Sequence, residues 1–431
     1  MLEFLQINNF LVIKKASLEI NDLNIIIGCQ AQGKSIIAKL NYYFNKISED
    51  FLEGVRKNLS KRELDKNLAD KFESYFPRYA WEGSDFYVKY QLGGTSVLVE
   101  GRKSSKNKTS LKVTYSDDLV KLYASKRRVY RNALESFPVG EDDEYKFGFD
   151  EHAIFYEHVV APIKNGVHSE FFGDAVFIPA SRSFFANLQK NIFTFLASNL
   201  DIDPFIKEFG QIYESSKRIY LMRNLRNFRQ TENKKVIAKL DDAIQSVIGG
   251  RYEYSKDQDW IVSKSRKINL ANASSGQQEA LPMFLLLYVW PFTMGRRGRG
   301  SAGKLFIEEP EAHLFPEAQS KIISIFSHLY NHPGSRFFIT THSPYILTAV
   351  NNLIMANDVI ARGGVTKKSF QEKNKGGEPI RYEDVSAYTI QDGVLFNIKD
   401  DDFRMVGGDV LDSVSEGFEE IVDFLMSADS E

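Results

Sequence analysis

The N-terminal part of the chain alternates short apolar runs with polar turns. Apolar residues dominate 2–7, 11–20 and 23–27, and pairs of Asn or Asp residues separate these runs. Short apolar runs between such turn residues are typical of strands. The segment 36–44 instead repeats its apolar residues at helical spacing. The pattern therefore predicts three strands, a loop at 28–35 and a helix.

Strand and helix patterns alternate again further along the chain. Positions 304–307 predict a strand, 316–330 a helix and 336–341 a strand, an order typical of a parallel α/β unit. We therefore expect an α/β fold. The other predicted elements are a charged helix at 50–71, a hairpin at 85–99, a buried strand at 175–179, helices within 187–248, strands at 252–254, 260–262, 267–270 and 358–360, a hairpin near 387–398, and a helix at 417–426 in an acidic tail that begins at Asp400.

Composition, charge and cysteine count limit the classes of protein to which this chain can belong. The 431 residues are 43% hydrophobic and 26% charged, with a net charge of −2, which is ordinary for a globular protein. The single cysteine, Cys29, excludes an intrachain disulfide. We find no leader pattern and no apolar run of the roughly 18 residues that cross a bilayer. We therefore expect a cytoplasmic protein without a membrane partner.

One segment departs from this charge balance. Positions 102–131 carry ten Lys or Arg residues against two Asp residues, with three tyrosines interleaved. Two interpretations stay open: a solvated surface, or a surface that binds phosphate backbones or an acidic protein.

The loop 28–35 has the sequence GCQAQGKS, which fits the phosphate-loop pattern G-x-x-x-x-G-K-[ST]. A buried strand before it and a helix after it are the context that this pattern requires, because backbone N–H groups and the helix dipole then converge on an anion. We predict that Lys34 contacts the ATP phosphates and that Ser35 binds Mg²⁺. The predicted nucleotide-binding residues of this loop are Gly28, Gln30, Ala31, Gln32, Gly33, Lys34, Ser35 and Ile36.

The apolar strand that ends in Glu308 and Glu309 is typical of a Walker B segment. Glu308 is predicted to bind Mg²⁺ through water, although Asp is the usual residue at this position. Glu309 is predicted to orient and polarise the attacking water. The alternative is a charged strand end on the surface, which the phosphate loop upstream disfavours.

Two further segments complete the candidate site. The residues Ser274, Ser275, Gly276 and Gln277 precede an apolar helix and resemble the ABC signature LSGGQ, whose small residues expose backbone N–H groups to a γ-phosphate. A serine here would also cap the helix, and both roles can hold. His342 follows the strand at 336–341 and resembles the switch histidine of ABC ATPases, which bridges γ-phosphate and water; a structural histidine is the alternative.

These motifs, in this order, resemble the ABC-type ATPases of the overcoming-lysogenization-defect group. The resemblance covers both ends of the chain well and positions 42–270 poorly, apart from FIPASRS at 177–183. It implies a P-loop core with a mixed sheet, flanking helices, an antiparallel β-subdomain and a large helical and β insertion. It also implies that Arg182 faces a phosphate or a subunit interface, and that residues 311–314 cross to a second subunit. The glutamine that this family carries between positions 42 and 181 has no clear counterpart.

We divide the chain accordingly. The expected segments are the N-terminal half of the ATPase core at 1–48, an insertion with the basic segment at 49–174, a core strand with a helical subdomain at 175–270, the C-terminal half of the core at 271–362, and a β/α extension with an acidic tail at 363–431.

Partners follow from the resemblance. Relatives often carry a fused Toprim nuclease, but only 89 residues follow His342 here, so we expect none. Stand-alone ATPases of this kind resemble the ATPase subunits of anti-phage systems, most closely those of the PARIS system and next those of the Septu type. The expected partners are a second copy of this chain, a separate Toprim-type nuclease and a phage-encoded trigger; an acidic trigger would suit the basic segment. The alternatives are an SMC-like or RecF-like repair ATPase that binds nucleic acid directly, a transporter ATPase, and a protein that holds ATP without turnover.

Overall fold

The computed structural model describes residues 2–136, 151–188, 202–221, 231–264, 266–293, 303–332, 334–374 and 376–407. The strands are β1 (Glu3–Phe10), β2 (Ile13–Glu19), β3 (Leu23–Ile27), β4 (Phe86–Leu92), β5 (Thr95–Lys103), β6 (Thr109–Tyr115), β7 (Ala175–Ile178), β8 (Arg251–Ser255), β9 (Gln258–Ser263), β10 (Arg266–Asn269), β11 (Lys304–Glu308), β12 (Arg336–Thr341), β13 (Val385–Gln391), β14 (Val394–Asn397), β15 (Lys399–Asp400) and β16 (Met405–Val406). The α-helices are α1 (Lys34–Arg56), α2 (Lys61–Tyr75), α3 (Asp117–Glu135), α4 (Ala161–Lys164), α5 (Ser183–Leu188), α6 (Pro204–Leu221), α7 (Thr231–Ile248), α8 (Ser275–Thr293), α9 (Pro316–Asn331), α10 (Pro344–Ala361) and α11 (Lys367–Lys373).

One mixed sheet organises the described residues. Its eleven strands run in the order β6-β5-β4-β1-β2-β14-β13-β3-β12-β11-β7. Strands β13, β3, β12, β11 and β7 are mutually parallel, whereas β6, β5, β4, β1 and β2 form an antiparallel half. The predicted α/β fold with a mixed sheet and an antiparallel part is confirmed.

Helices cover both faces of the parallel strands. Ile25 and Ile27 of β3 belong to one hydrophobic core, with residues of α8, α9 and α10. Ile26 points to the opposite core, which contains Tyr42 of α1. The alternation follows from the strand period of two, and burial on both faces accounts for the apolar side chains at four of the five positions of β3. Within the described part of the chain, no helix is long and apolar enough to cross a membrane.

The range 49–174, predicted as an insertion, is continuous with the main sheet. Strand β4 pairs with β1 over six residues, from Glu3↔Leu92 to Asn8↔Tyr87, and β5 and β6 extend the sheet outward. The basic segment 102–131 therefore comprises the end of β5, the turn to β6, the edge strand β6 and most of α3.

Two local predictions differ from the structure, and a third is not tested by it. The strand expected at 358–360 is the last turn of α10. A run of three residues is too short to distinguish the strand period from the helix period. The single charged helix expected at 50–71 is two helices, because Ser60 caps α2 through a reciprocal bond with Glu63. The helix predicted at 417–426 lies outside the described residues.

Candidate functional site

The loop 28–35 connects the C-terminal end of β3 to the first turn of α1. Gly33 precedes the helix with φ of 102°, and a Cβ atom there would lie 2.3 Å from Ile13 Cδ1. Glycine is thus required at Gly33 both by the backbone conformation and by the close approach of β2. Gln30 and Ala31 are exposed at the top of the loop, whereas Gln32 and Ile36 are half-buried.

Lys34 lies inside the loop rather than on its surface. Its ammonium donates to the carbonyls of Gly28 and Cys29, each at 2.7 Å, and lies 3.2 Å from His342 Nδ1. Burial lowers the pKa of the Lys34 ammonium, and the nearby Glu309 carboxylate opposes this shift. The phosphate loop is therefore folded around one cation.

Ser35 and Glu308 lie side by side although 273 positions separate them. The Ser35 hydroxyl donates to one carboxylate oxygen of Glu308, and the Ala180 N–H approaches the other at 3.3 Å. Burial raises the pKa of Glu308, while the Lys39 charge and the bond from Ser35 oppose the rise. These hard oxygen donors fit Mg²⁺, which keeps several waters and needs only one or two protein ligands. In the described ranges, no group of three or more His, Cys, Asp or Glu side chains is arranged to hold a metal ion.

Glu309 and His342 form a hydrogen-bonded pair at the open side of the site. His342 Nε2 lies 3.1 Å from Glu309 Oε1, and the two side chains are 27% and 39% exposed. The pairing of β11 with β12 brings them together, since Glu308 is opposite Thr340 in the parallel register. A carboxylate and an imidazole that share one hydrogen bond can together orient and polarise a water molecule.

Glu311 holds the histidine in place, a role that the sequence did not reveal. Its buried carboxylate accepts from the Thr341 hydroxyl at 2.6 Å and from the His342 N–H at 2.8 Å, both at the same oxygen. The resemblance placed Glu311 only in a turn toward a second subunit. The available signal was that Glu311 follows Glu309 by two positions. Its partners Thr341 and His342 lie on a different segment of the chain, so the sequence did not show the contact.

The expectation that Arg182 faces a phosphate or an interface does not fit the structure. Its side chain is fully buried, and its donors contact backbone carbonyls of Pro179, Glu279, Glu308 and Glu309 at 2.7 to 2.9 Å. A guanidinium has five N–H donors and no acceptor; the carbonyls use four of these donors, and the Glu279 carboxylate balances the charge 3.5 Å from Nε. Arg182 therefore organises the turn that carries Glu308 and Glu309.

The serine-rich segment caps α8, as the second interpretation of this motif predicted. The Gln277 N–H donates to Ser274 Oγ at 3.4 Å, and Gln277 Oε1 accepts from the Ser274 N–H at 3.1 Å. Gly276 packs so tightly against the turn after β11 that a Cβ atom would lie 2.7 Å from the His313 carbonyl. Ser274 and Ser275 are exposed. Among the described residues, no hydrogen bond or ion pair joins this segment to the phosphate loop of the same chain.

The structure thus brings five predicted residues to one place, while the serine-rich residues Ser274 to Gln277 lie apart from the phosphate loop. Lys34, Ser35, Glu308, Glu309 and His342 converge at the C-terminal ends of β3, β11 and β12, where open parallel sheets bind ligands.

Comparison with known proteins gives one family match. A family model described as an AAA ATPase domain matches residues 179–347, less than half of the chain. This range contains Glu308, Glu309 and His342 but not the phosphate loop. A search of curated proteins found no match.

Several solved structures resemble the fold at 12% identity. The SMC head bound to the C-terminal winged-helix domain of ScpA has a TM-score of 0.39 and covers 92% of this chain and 96% of its own. The SMC head domain from Thermotoga maritima has a TM-score of 0.35, with 92% and 98% covered. The recombination mediator RecF, of the RecFOR pathway, has a TM-score of 0.31, with 92% and 98% covered. The similarity to AAA ATPase domains thus rests on residues 179–347, and the phosphate loop at 28–35 contacts Glu308 and His342 of this range.

Proposed function

We propose that this chain binds MgATP and hydrolyses it to ADP and phosphate. The observation that carries the proposal is the convergence of Lys34 and Ser35 with Glu308, Glu309 and His342, which come from both ends of the sequence. In this proposal the loop amides and Lys34 bind the phosphates, and Ser35 and Glu308 hold Mg²⁺. The metal supplies charge neutralisation at the β- and γ-phosphates.

Glu309 has the geometry of the residue that acts on water. Its side chain is 39% exposed, and His342 Nε2 lies 3.1 Å from its Oε1 atom. In our proposal, Glu309 accepts a hydrogen bond from the attacking water, and His342 keeps the carboxylate aimed at it. Lys34, the proposed phosphate-binding lysine, lies on the other side of the same imidazole, 3.2 Å from its Nδ1 atom.

We further propose that two copies of this chain share each nucleotide. The serine-rich cap of α8 is exposed and makes no contact with its own phosphate loop among the described residues. Phe315 and Tyr345, which follow the Glu309 turn and His342, are 78% and 53% exposed. Large exposed apolar side chains beside a site support a docking surface. The cap of one copy would then meet ATP on the phosphate loop of the other.

Replacing Glu309 by Gln tests both parts of the proposal. The amide keeps the shape but cannot take a proton, so we expect hydrolysis to fall by at least about a hundredfold while ATP-dependent dimers accumulate. Phosphate release and light scattering during size-exclusion chromatography measure the two effects. Lys34→Ala is the matched control, because it should lose ATP binding and dimers together. A Glu309→Gln protein that stays monomeric at saturating ATP would contradict the sandwich, and one that still turns over would contradict the role of Glu309.

For the biological role, we propose a sensor and scaffold subunit of an anti-phage complex that controls a separate Toprim-type nuclease. Support comes from the resemblance of SSGQQE, IEEPEAHLFP, THSP and FIPASRS to the overcoming-lysogenization-defect group, and in particular to PARIS-type ATPases. A phage-encoded protein would be the trigger. Purification from the native operon, with a tag on this chain alone, should recover a nuclease; the absence of any nuclease in both the eluate and the neighbouring genes would contradict this role.

A second candidate is a DNA-repair ATPase that binds DNA directly. The observation that favours it is the exposed basic hairpin formed by β5 and β6. It requires salt-dependent binding to duplex DNA, which an assembly with a nuclease does not.

A further inference from the structure

Arg182 joins three separate elements through one side chain. It lies just after β7, and its Nη1 and Nη2 groups donate to the carbonyls of Glu308 and Glu309 at 2.7 and 2.9 Å. Its Nε group donates to the carbonyl of Glu279 on α8 at 2.9 Å. The end of β11 and the start of α8 are therefore tied to the same rigid, planar group.

Glu279 is the other half of this connection. Glu279 is 4% exposed, and its carboxylate accepts from the backbone N–H groups of Arg182 at 3.0 Å and Ser183 at 3.2 Å. Its Oε2 atom also lies 3.5 Å from Arg182 Nε. Glu279 follows Gly276 by three residues, so it lies on the same face of α8 one turn further on. A shift of the serine-rich cap therefore moves Glu279 with it.

The backbone of Glu309 lies at the far end of these contacts from α8. This residue has φ of 43°, in the left-handed region that non-glycine residues rarely adopt. Three hydrogen bonds hold its backbone there: its N–H donates to the Thr340 carbonyl at 2.8 Å, and its carbonyl accepts from Arg182 at 2.9 Å and from the Ala312 N–H at 3.1 Å. Loss of the Arg182 bond would leave this carbonyl with the Ala312 N–H alone, and the peptide could then rotate and turn the carboxylate away from His342.

We propose that Arg182 and Glu279 are positioning residues that couple the serine-rich cap of α8 to Glu309. When a second copy presses its nucleotide against Ser274–Gln277, the displacement reaches Glu309 through Glu279 and Arg182. Hydrolysis then depends on the pair, whereas nucleotide binding to the phosphate loop does not. The inference rests on the proposed function, since it concerns how that same site is switched on by a second subunit.

A kinetic comparison separates coupling from simple stability. Glu279→Gln removes the charge and retains the shape; we expect kcat to fall at least about tenfold with KM for ATP within about twofold of wild type. The control is Glu214→Gln, which neutralises another buried glutamate whose partner Lys217, at 2.8 Å, keeps a second bond to Asp259. The control should retain wild-type kcat. Unchanged kcat in Glu279→Gln, or an equal loss in the control, would overturn the proposal.

Hydrogen exchange follows the coupling without relying on turnover. In the Glu309→Gln background, ATP should protect the amides of 274–279 and also alter those of 308–313. Adding Glu279→Gln or, if that protein does not fold, Arg182→Lys should leave the first change and abolish the second. If ATP still alters hydrogen exchange in both segments of the double variant, the coupling is overturned. No change at 274–279 even with Glu279 intact would instead overturn the nucleotide sandwich itself.

Discussion

Glu309 is held in a backbone conformation that its residue type disfavours. Its φ of 43° lies in the left-handed region, which costs a residue with a Cβ atom about 1–2 kcal/mol. Hydrogen bonds at both its N–H and its carbonyl maintain this conformation. Strain of this kind concentrates at sites where a side chain has to be aimed, and here it directs the carboxylate at His342.

Two substitutions of Glu309 separate its strain from its chemistry. Glu309→Ala and Glu309→Gly both lose the carboxylate, so we expect neither variant to hydrolyse ATP. Glycine alone adopts positive φ without a Cβ clash, and we expect the Gly variant to be more stable than the Ala variant by roughly 0.5–1 kcal/mol after its greater unfolded-state entropy is allowed for. Urea unfolding of the two proteins measures the difference. A Gly variant that is less stable than the Ala variant would show that the turn stores no strain.

Helix α8 begins at a segment with two assigned roles, one structural and one functional. Ser274 and Gln277 exchange hydrogen bonds as a helix cap, while the same exposed residues are the proposed contact for the nucleotide of a second copy. A cap and a phosphate contact respond differently to negative charge, because Asp is as good a helix cap as Ser but repels phosphate.

Changes at Ser274 therefore test the element in two steps. Ser274→Ala should lower the free energy of unfolding by about 1 kcal/mol through loss of the cap. Ser274→Asp should restore that stability but should lower ATP-dependent dimerisation and hydrolysis well below the Ser274→Ala level. Thermal unfolding and phosphate release measure the two effects. Full activity in the Asp variant would leave Ser274 as a cap only.

Glu378 ties α9, α11 and α7 together. The carboxylate is 1% exposed, and it contacts His328 at 2.8 Å, Lys367 at 2.9 Å and Lys239 at 3.7 Å. Burial alone would raise the pKa of Glu378, but the hydrogen bonds from His328 and Lys367 outweigh it and lower the pKa to about 2.

This lowered pKa predicts how the stability depends on pH. A carboxyl group with a pKa lower in the folded than in the unfolded chain stabilises the fold above its unfolded pKa, and this contribution is lost as the pH falls toward the folded value. Between about pH 4.5 and 2, wild type should lose on the order of 3 kcal/mol that Glu378→Gln does not lose. The variant should be less stable at pH 7, and the gap should close in acid. Chemical unfolding at several pH values measures it, and a constant gap would contradict the assignment.

At the scale of the molecule, the sequence identified the candidate site residues more readily than the contacts that join the parts of the fold. Gly28 to Ser35 and the glutamates at 308 and 309 were identifiable because strand, loop and residue type are adjacent in sequence. The burial of Arg182 was not, because its partner Glu279 lies 97 positions away and only the fold joins them. For the same reason, the sequence did not show that β4 pairs with β1 and extends the main sheet.

The edge of the sheet gives the molecule an uneven charge distribution. Net charge is −2, but 102–112 carry five Lys or Arg residues and no acidic residue, and β6 is the outermost strand. The cations of this hairpin are exposed. Within the described part of the chain, Glu100 pairs with Arg102 at 3.5 Å, and the four lysines of the hairpin make no ion pair. Unpaired cations on an exposed ribbon favour a polyanionic partner, since charge pairing within the chain does not account for them.

Neutralising this hairpin distinguishes the two candidate functions. If the partner is duplex DNA, replacing Lys106, Lys108 and Lys112 by Gln should weaken binding and reduce the slope of log K against log[salt] by about 2–3, since each phosphate contact contributes about 0.9. The matched control replaces the exposed Lys256, Lys264 and Lys368 with the same change in net charge. Basal ATPase activity should be unchanged in both proteins, because the hairpin lies at the edge of the sheet and not among the parallel strands of the site. If wild type binds duplex DNA no better than the hairpin variant at low salt, direct DNA binding is excluded for this surface. A loss of nuclease recovery or of trigger response in the same variant would then assign the hairpin to a protein partner.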